Sequence, residues 1–487
     1  MLVAVMASAL LRILAPAFVL LVAGCGRGGE RLVSLPEDHS GSLVIRNVRV
    51  FDAPRARLSD GMMDVLVREG RIEKISECGL DSGGAPELDG GGGTLLPGLV
   101  DTHTHTGSSS NPPGATGSLP DLDAKLAAFL YAGVTTVLDL GSLAPAIFEQ
   151  RDEIARGERL GPRVFAAGPV FTAHGGHPAE VLREWLPWYL RWYVLPRATR
   201  EIAGAQDAHE AVAELLEHRP DILKITIDVG AAGDVPNLSQ EALAGIIEAG
   251  HASGIRSIVH IGDSAEALAA VRAGADALAH SPWRDELSEE TVAALAHEPT
   301  PVVATIAGWD LGGRPRTKIE DFLPIEREVA SDELVELLLA TPARPEAKVF
   351  MKAASDAWEI RRRNVGKLMA AGVPVLAGSD AANPGNIPGA GLHLEMRKLV
   401  EAGMSPGQAL RAATYDNARF LSGRDANFGE IDAGKRADLV LVDGDPTARI
   451  EDTEKIREVI LAGRPLLRKK QGSDKKGSGT ENQGASP

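Results

Sequence analysis

The sequence predicts an α/β fold: a (β/α)8 barrel of the TIM type carrying a small β-sandwich domain built from both ends of the chain. Three observations lead there. Eight short apolar runs, at 95–100, 135–140, 164–167, 222–227, 256–260, 275–279, 301–306 and 373–377, alternate with stretches of helical periodicity; this is the pattern of parallel strands covered by helices. Side chains able to bind a metal recur at the ends of those runs, and barrel active sites are assembled at the C-terminal ends of strands. The flanks, 43–94 and 424–468, read as short strands divided by turns, which suits one sheet domain assembled from both termini around a barrel at 95–423. A doubly wound open sheet is the competing arrangement. No Gly-x-Gly-x-x-Gly turn follows the first strand, so a dinucleotide site is not expected.

Taken in order, the chain opens with a segment unlike the rest. Residues 1–24 hold one charge, Arg12, and an apolar run at 13–23 that leads through Val22-Ala23-Gly24 into Cys25. Small residues immediately before a cysteine resemble the lipobox of bacterial lipoproteins. The resemblance implies cleavage after a signal peptide at 1–24, a lipid on Cys25, and an extracytoplasmic, membrane-anchored protein. A spanning anchor is the alternative, but the apolar run is short for it. The polar stretch 25–42 then reads as a tether. With Cys25 lipidated, Cys78 is alone and no internal disulfide can form, so stability must come from the core. At the other end, 469–487 is polar, low in complexity and expected to be disordered.

The first barrel strand ends in Pro97-Gly-Leu-Val-Asp-Thr-His-Thr-His105. On a strand, the i, i+2 spacing sends His103 and His105 to one face, where a single metal ion could take both imidazoles. Further along, Lys224 lies in the fourth strand, His260 ends the fifth, His280 follows the sixth and Asp380 follows the eighth. Taken singly, these residues have ordinary readings: Lys224 as a snorkelling lysine, His260 and His280 as core or rim histidines, Asp380 as a helix N-cap.

Together, the motifs 96–105, 222–225, 258–260, 279–281, 377–380 and 429–440 resemble the amidohydrolase superfamily of metal-dependent hydrolases, over roughly 42–467. Gly175-Gly176-His177 and the run 239–280 are most similar to its imidazolonepropionase-like and Xaa-Pro dipeptidase-like branch. The resemblance implies two divalent ions, zinc foremost: His103, His105 and Asp380 on one, His260 and His280 on the other, with Lys224 bridging them as a carbamate. It further implies a metal-bridging hydroxide whose proton Asp380 takes as general base and returns to the leaving nitrogen as general acid. A lysine suits the bridge because its charge is readily suppressed by burial. His177 and His393 are secondary candidates for substrate contact, and for His393 a structural hydrogen bond at a helix start is the plainer reading.

The expected reaction is hydrolysis of a carbon-nitrogen amide bond in a dipeptide or cyclic amide. A single-metal deaminase or imidazolonepropionase-like enzyme with Lys224 inert is one rival, and a non-catalytic binding lipoprotein another. A net charge of −16 speaks against a nucleic-acid partner, leaving a small molecule or dipeptide as substrate and the membrane as the partner of Cys25; a homo-oligomer is compatible with the sequence. Trp185, Trp188, Tyr189, Trp192 and Tyr193 follow i, i+3, i+4, i+7, i+8 spacing. Such a stripe predicts core packing or a lid, with contact at a membrane interface as the other option. Residues 310–363 are too long for a simple connection and read as a helical insertion over the pocket mouth.

Overall fold

Six consecutive residues of Leu99–Thr104 are buried, as expected of a strand covered on both faces. In the computed structural model, which describes residues 32–37, 40–111, 121–230, 233–309, 316–341 and 345–470 (main chain only at 185, 309 and 345–355), this strand pairs in parallel with Val134–Asp139, and that in turn with Arg163–Ala166. A second parallel arc runs, in spatial order, Thr199–Ile202, Val170–Ala173, Leu223–Thr226, Ser257–His260, Ala277–Ala279, Val302–Val303 and Val375–Leu376. Main-chain bonds link the arcs at both ends. Asp221 N donates to Ala166 O at 2.9 Å, Thr102 N donates to Ala377 O at 3.3 Å, and Thr104 forms a parallel bridge with Ala381.

Two features of the array depart from the sequence reading. The apolar run at 95–100 is not one strand: Thr94–Pro97 belongs to the terminal sheet, and Leu99–Thr104 begins after Gly98. Any side chain at Gly98 would run into Thr135 of the neighbouring strand, so glycine there lets the chain cross closely from one sheet to the other. Val170–Ala173 and Thr199–Ile202 are additional strands. The first follows its predecessor after three residues, and the second carries Arg200 and Glu201, which hide its apolar pattern.

Both ends of the chain meet in one nine-stranded sheet. Leu43–Asp52 pairs antiparallel with Met63–Arg68 and parallel with Thr94–Pro97, which pairs antiparallel with Leu439–Val442 and so reaches Ile456–Leu461. Leu43, Ile45, Val65, Val67, Leu95, Leu439, Leu441 and Ile460 alternate onto one buried face, while the intervening Val44, Leu66, Leu96 and Val440 are buried on the other. The expected tether at 25–42 needs correcting at its end: Val33–Ser34 pairs antiparallel with Leu467–Arg468, and Leu32 and Val33 are buried. Two adjacent apolar residues in a polar stretch have found a strand to cover them. The predicted signal peptide at 1–24, Cys25 and the tail from 471 lie outside the described residues.

Of the aromatic stripe, Trp188, Tyr189, Trp192 and Tyr193 do not pack into the core. Leu186 and Pro187 divide the stripe between the helices Ala179–Trp185 and Trp188–Ala198, and no residue of the latter is buried. Trp188 is 80% exposed and Trp192 65%. The insertion is helical as expected, with Pro324–Val329, Asp332–Ala340 and Pro345–Ala370. Among the described residues no helix is long and apolar enough to cross a membrane.

Asn417 ties the strand Leu99–Thr104 to the end of Val375–Leu376, across the two parallel arcs. Its Nδ2 donates to Val100 O and to Ala377 O, both at 2.7 Å, from a site with no solvent exposure. Replacing Asn417 with Ala leaves two buried carbonyls short of a donor and is expected to cost about 2–3 kcal/mol. A urea midpoint equal to that of the parent protein would show that the junction does not depend on this side chain.

Candidate metal centre

The C-terminal ends of the parallel strands bring five predicted residues into one chain of contacts. Asp380 Oδ1 lies 3.1 Å from His105 Nε2 and 3.3 Å from His103 Nε2. These three could hold a metal ion, their ligand atoms all lying within 4.8 Å of one another. The His103 ring lies 4.7 Å from the His280 ring, and His280 Nε2 faces His260 Nδ1 at 2.9 Å. Lys224, 2% exposed, has its Nζ buried without a hydrogen-bond partner among the described residues.

The local sequence explains how so many polar groups converge. Asp101 accepts from Ser379 N at 2.9 Å, Ser379 Oγ at 2.6 Å and His103 N at 3.2 Å, while Asp380 N donates to His103 O at 2.7 Å. The first strand and the Ala-Gly-Ser-Asp turn after the last are thereby stapled together. Glycine is needed at 378, where a Cβ would come within 2.7 Å of His103 Cβ, and at 308, where it would come within 2.8 Å of Asp380 Oδ2. His280, Thr305 and Asp380 adopt φ of 75°, 44° and 63°, the left-handed region that such residues rarely enter, and strain of this kind collects at functional sites.

Burial sets the charge states. It pulls His103 well below the ordinary histidine value, assisted by the Lys224 charge, and lowers His260 to about 4 despite the hydrogen bond that its ring donates to Asp228. Both imidazoles are therefore neutral at pH 7, the form that ligates. His105 is also buried, but its bond to Asp380 and that carboxylate's charge outweigh burial and raise it. Burial lowers Lys224 to about 7, partly opposed by Asp380; a free amine is the form that captures carbon dioxide.

Several residues that shape the site were not singled out in the sequence. Asp228 Oδ2 lies 3.1 Å from His260 Nε2, leaving Nδ1 to face His280, and Thr305 Oγ1 lies 2.6 Å from His280 Nδ1, leaving Nε2 to face His260. Asp228 is itself gripped by Arg284, which also pairs with Asp263 at 2.7 Å and Glu266 at 2.6 Å. Only Asp228 left a trace, as an acid at the end of the Leu-Lys-Ile-Thr-Ile run. Arg361, from the insertion helix, is buried, and its charge is felt at His280.

Of the secondary candidates, His177 stands at the site, its ring 5.3 Å from that of His260 and its Nδ1 2.9 Å from Glu180 Oε1. His393 is corrected to a structural role. It has no exposure, and both ring nitrogens are engaged elsewhere, Nδ1 with Thr453 Oγ1 at 2.9 Å and Nε2 with Ala132 O at 2.8 Å.

Parallel strands whose C-terminal ends gather imidazoles, a carboxylate and a buried lysine form an α/β arrangement suited to holding a metal ion and to hydrolysis. The amidohydrolase family profile matches residues 94–466, and the chain belongs to that family. It is 28% identical to an ochratoxinase of Aspergillus niger over 389 residues, 75% of this chain and 72% of that one. Its fold resembles a solved Xaa-Pro dipeptidase with bound methionine, at a TM-score of 0.71 and 23% identity over 88% of this chain and 100% of that one. A solved molinate hydrolase gives a TM-score of 0.70 at 21% identity, covering 87% of this chain and 94% of the other. The protein is thus an amidohydrolase, of a family that generally uses metal ions.

If Asp228 holds the His260 ring with Nδ1 toward the site, Asp228→Ala lowers zinc affinity by about 10–100-fold in a chelator competition. Unchanged affinity would mean that the ring is oriented by its other contacts.

Proposed function

We propose that this amidohydrolase cleaves a carbon-nitrogen amide bond in a dipeptide or a cyclic amide, using two divalent ions bridged by a carbamate on Lys224. The parallel arcs, on this reading, form the closed (β/α)8 barrel of the family. The observation that carries the proposal is the buried, unbonded Lys224 Nζ amid four histidines and Asp380. A lysine so placed has lost its hydration without gaining an ion-pair partner in return, an expensive arrangement unless its chemistry changes. Neutral Nζ attacks carbon dioxide, an N–C bond forms, a proton is released, and the resulting anion presents two oxygens where a cation stood.

The donor set fits metal ions. His103, His105 and Asp380 would hold one, His260 Nδ1 and His280 Nε2 the other, and the pair would supply a water of lowered pKa together with polarisation of the scissile carbonyl. The chain's own residues do the rest. Asp380 Oδ1 is committed to His103, His105 and Asn383 Nδ2 at 2.9 Å. The second carboxylate oxygen takes the proton of the attacking water and returns it to the leaving nitrogen, so the C–O bond forms, the C–N bond breaks, and an acid and an amine result. His177, beside His260 and partly exposed, orients the substrate carbonyl. The names of the relatives, an Xaa-Pro dipeptidase, an ochratoxinase and a molinate hydrolase, support a small-molecule or dipeptide substrate.

Two experiments test this. Lys224→Ala is expected to reduce metal content from two ions per chain to one or none and to abolish hydrolysis of Xaa-Pro dipeptides, N-acyl amino acids or cyclic amides, with partial rescue by short carboxylic acids. One ion in the parent protein, with activity indifferent to Lys224, would instead establish the single-metal deaminase or imidazolonepropionase-like reading. We also propose an extracytoplasmic protein lipid-anchored at Cys25, a reading supported by the Val22-Ala23-Gly24-Cys25 sequence. In a bacterial host Cys25→Ser should abolish lipid labelling, and labelling that persists would overturn the anchor.

A further inference from the structure

Among the described residues, five of the eight large hydrophobic side chains left exposed sit on one short helix, Trp188–Ala198: Trp188, Tyr189, Leu190, Trp192 and Tyr193. The spacing pairs Trp188 with Trp192 and Tyr189 with Tyr193 along one face. A surface helix ordinarily buries an apolar stripe and shows water its polar side. This one buries no residue and turns its aromatic rings outward.

Its charge is equally out of keeping with the chain. Residues 185–200 contain three arginines and no acid, in a protein whose net charge is −16. Arg191 Nε donates to Leu186 O at 3.1 Å and Arg197 donates to Tyr193 O at 3.0 Å, while Arg200 donates to Pro196 O. None of the three forms an ion pair with a described carboxylate. The Arg197 guanidinium lies 4.0 Å from the centre of the Tyr193 ring, so cation and aromatic surface are presented together. Alongside the helix opens a cavity of about 710 Å³, lined by Arg183, Arg191, Trp192 and Arg200 with Glu201 and Glu214. Glu201 is already paired with Arg183 at 2.6 Å, which leaves the cavity with a net positive lining.

We propose that Trp188–Ala198 is a membrane-docking element, seating Trp188, Tyr189, Trp192 and Tyr193 in the interfacial layer of a bilayer and holding anionic phospholipid headgroups with Arg191, Arg197 and Arg200. Trp and Tyr suit that layer because each joins a large apolar ring to a polar edge, and arginine stems reach back to the phosphates. The basic patch answers a physical difficulty: an anionic surface repels a chain carrying −16, so approach requires local charge of the opposite sign. The element acts whether or not Cys25 carries a lipid, and it is independent of the reaction assigned to the metal centre.

The test uses the full chain with Cys25→Ser, so that acylation makes no contribution, and vesicles of phosphatidylcholine alone or mixed with phosphatidylglycerol. Binding to the mixed vesicles should fall about fivefold for each of Arg191→Gln and Arg197→Gln, approaching the level on phosphatidylcholine. Quenching of tryptophan fluorescence by lipids brominated on their acyl chains should drop when Trp188→Ser and Trp192→Ser are combined. Trp188 and Trp192 are exposed, and Arg191 and Arg197 are half-buried with hydrogen bonds only to carbonyls of their own segment, so thermal midpoints should match that of the Cys25→Ser parent. Variants that bind and quench like the parent would overturn the proposal. So would a lipid-free dimer of the parent, seen by analytical ultracentrifugation, that the paired tryptophan substitutions convert to monomer, since the face would then belong to a second copy of the chain.

Discussion

One buried carboxylate holds the two halves of the metal centre in register. Asp101 has no exposure, yet it accepts hydrogen bonds from the main chain and hydroxyl of Ser379 and from the main chain of His103. Burial, helped by the nearby Asp380 charge, pushes its carboxyl up to about 7 against the pull of those donors. An unsatisfied acid at such a position would be among the most destabilising groups in the molecule; satisfied, it admits only one arrangement of the segments that meet around it. Those segments carry His103 and Asp380, 277 positions apart in sequence and 3.3 Å apart at their side chains.

From that staple the rest of the site follows as a sequence of directed contacts. Each imidazole has one nitrogen committed to an orienting partner or left toward the centre: His260 to Asp228, His280 to Thr305. Arg284 in turn fixes Asp228, and its own charge is spread over Asp263 and Glu266. Outer partners of this kind decide which ring nitrogen faces a metal, and so how basic a ligand it is. The left-handed conformations of His280, Thr305 and Asp380 are stable only because neighbouring contacts over-determine them.

The surface follows a different logic. An acidic chain with an ordered hydrolase core has no packing reason to keep a helix with no buried residue and five exposed large hydrophobic side chains. Pro187 breaks what would otherwise be one long helical stripe, and the helix that follows it buries no residue. The strand pairing of Val33–Ser34 with Leu467–Arg468 likewise shows two polar-looking ends of the chain being fastened by a few apolar residues.

What the sequence determined by itself is local or repetitive. Apolar runs bounded by turns mark the parallel strands, since period and composition are properties of neighbours in sequence. The His103 and His105 pair was legible because two residues on one strand must share a face, and the remaining ligand candidates because each falls at a strand's C-terminal end, where this architecture gathers its chemistry. Tertiary structure alone decided the rest. Whether 95–100 was one strand or two depended on Gly98 passing Thr135. The tautomers of His260 and His280 depend on Asp228 and Thr305, which approach them only after the chain has folded. His393 matched the pattern of a site residue, yet its ring nitrogens are taken by Thr453 and Ala132, groups 60 and 261 positions away. Hydrogen bonds between distant segments leave no periodic signature, so their partners become readable only when the backbone has brought them within 3 Å or so of each other.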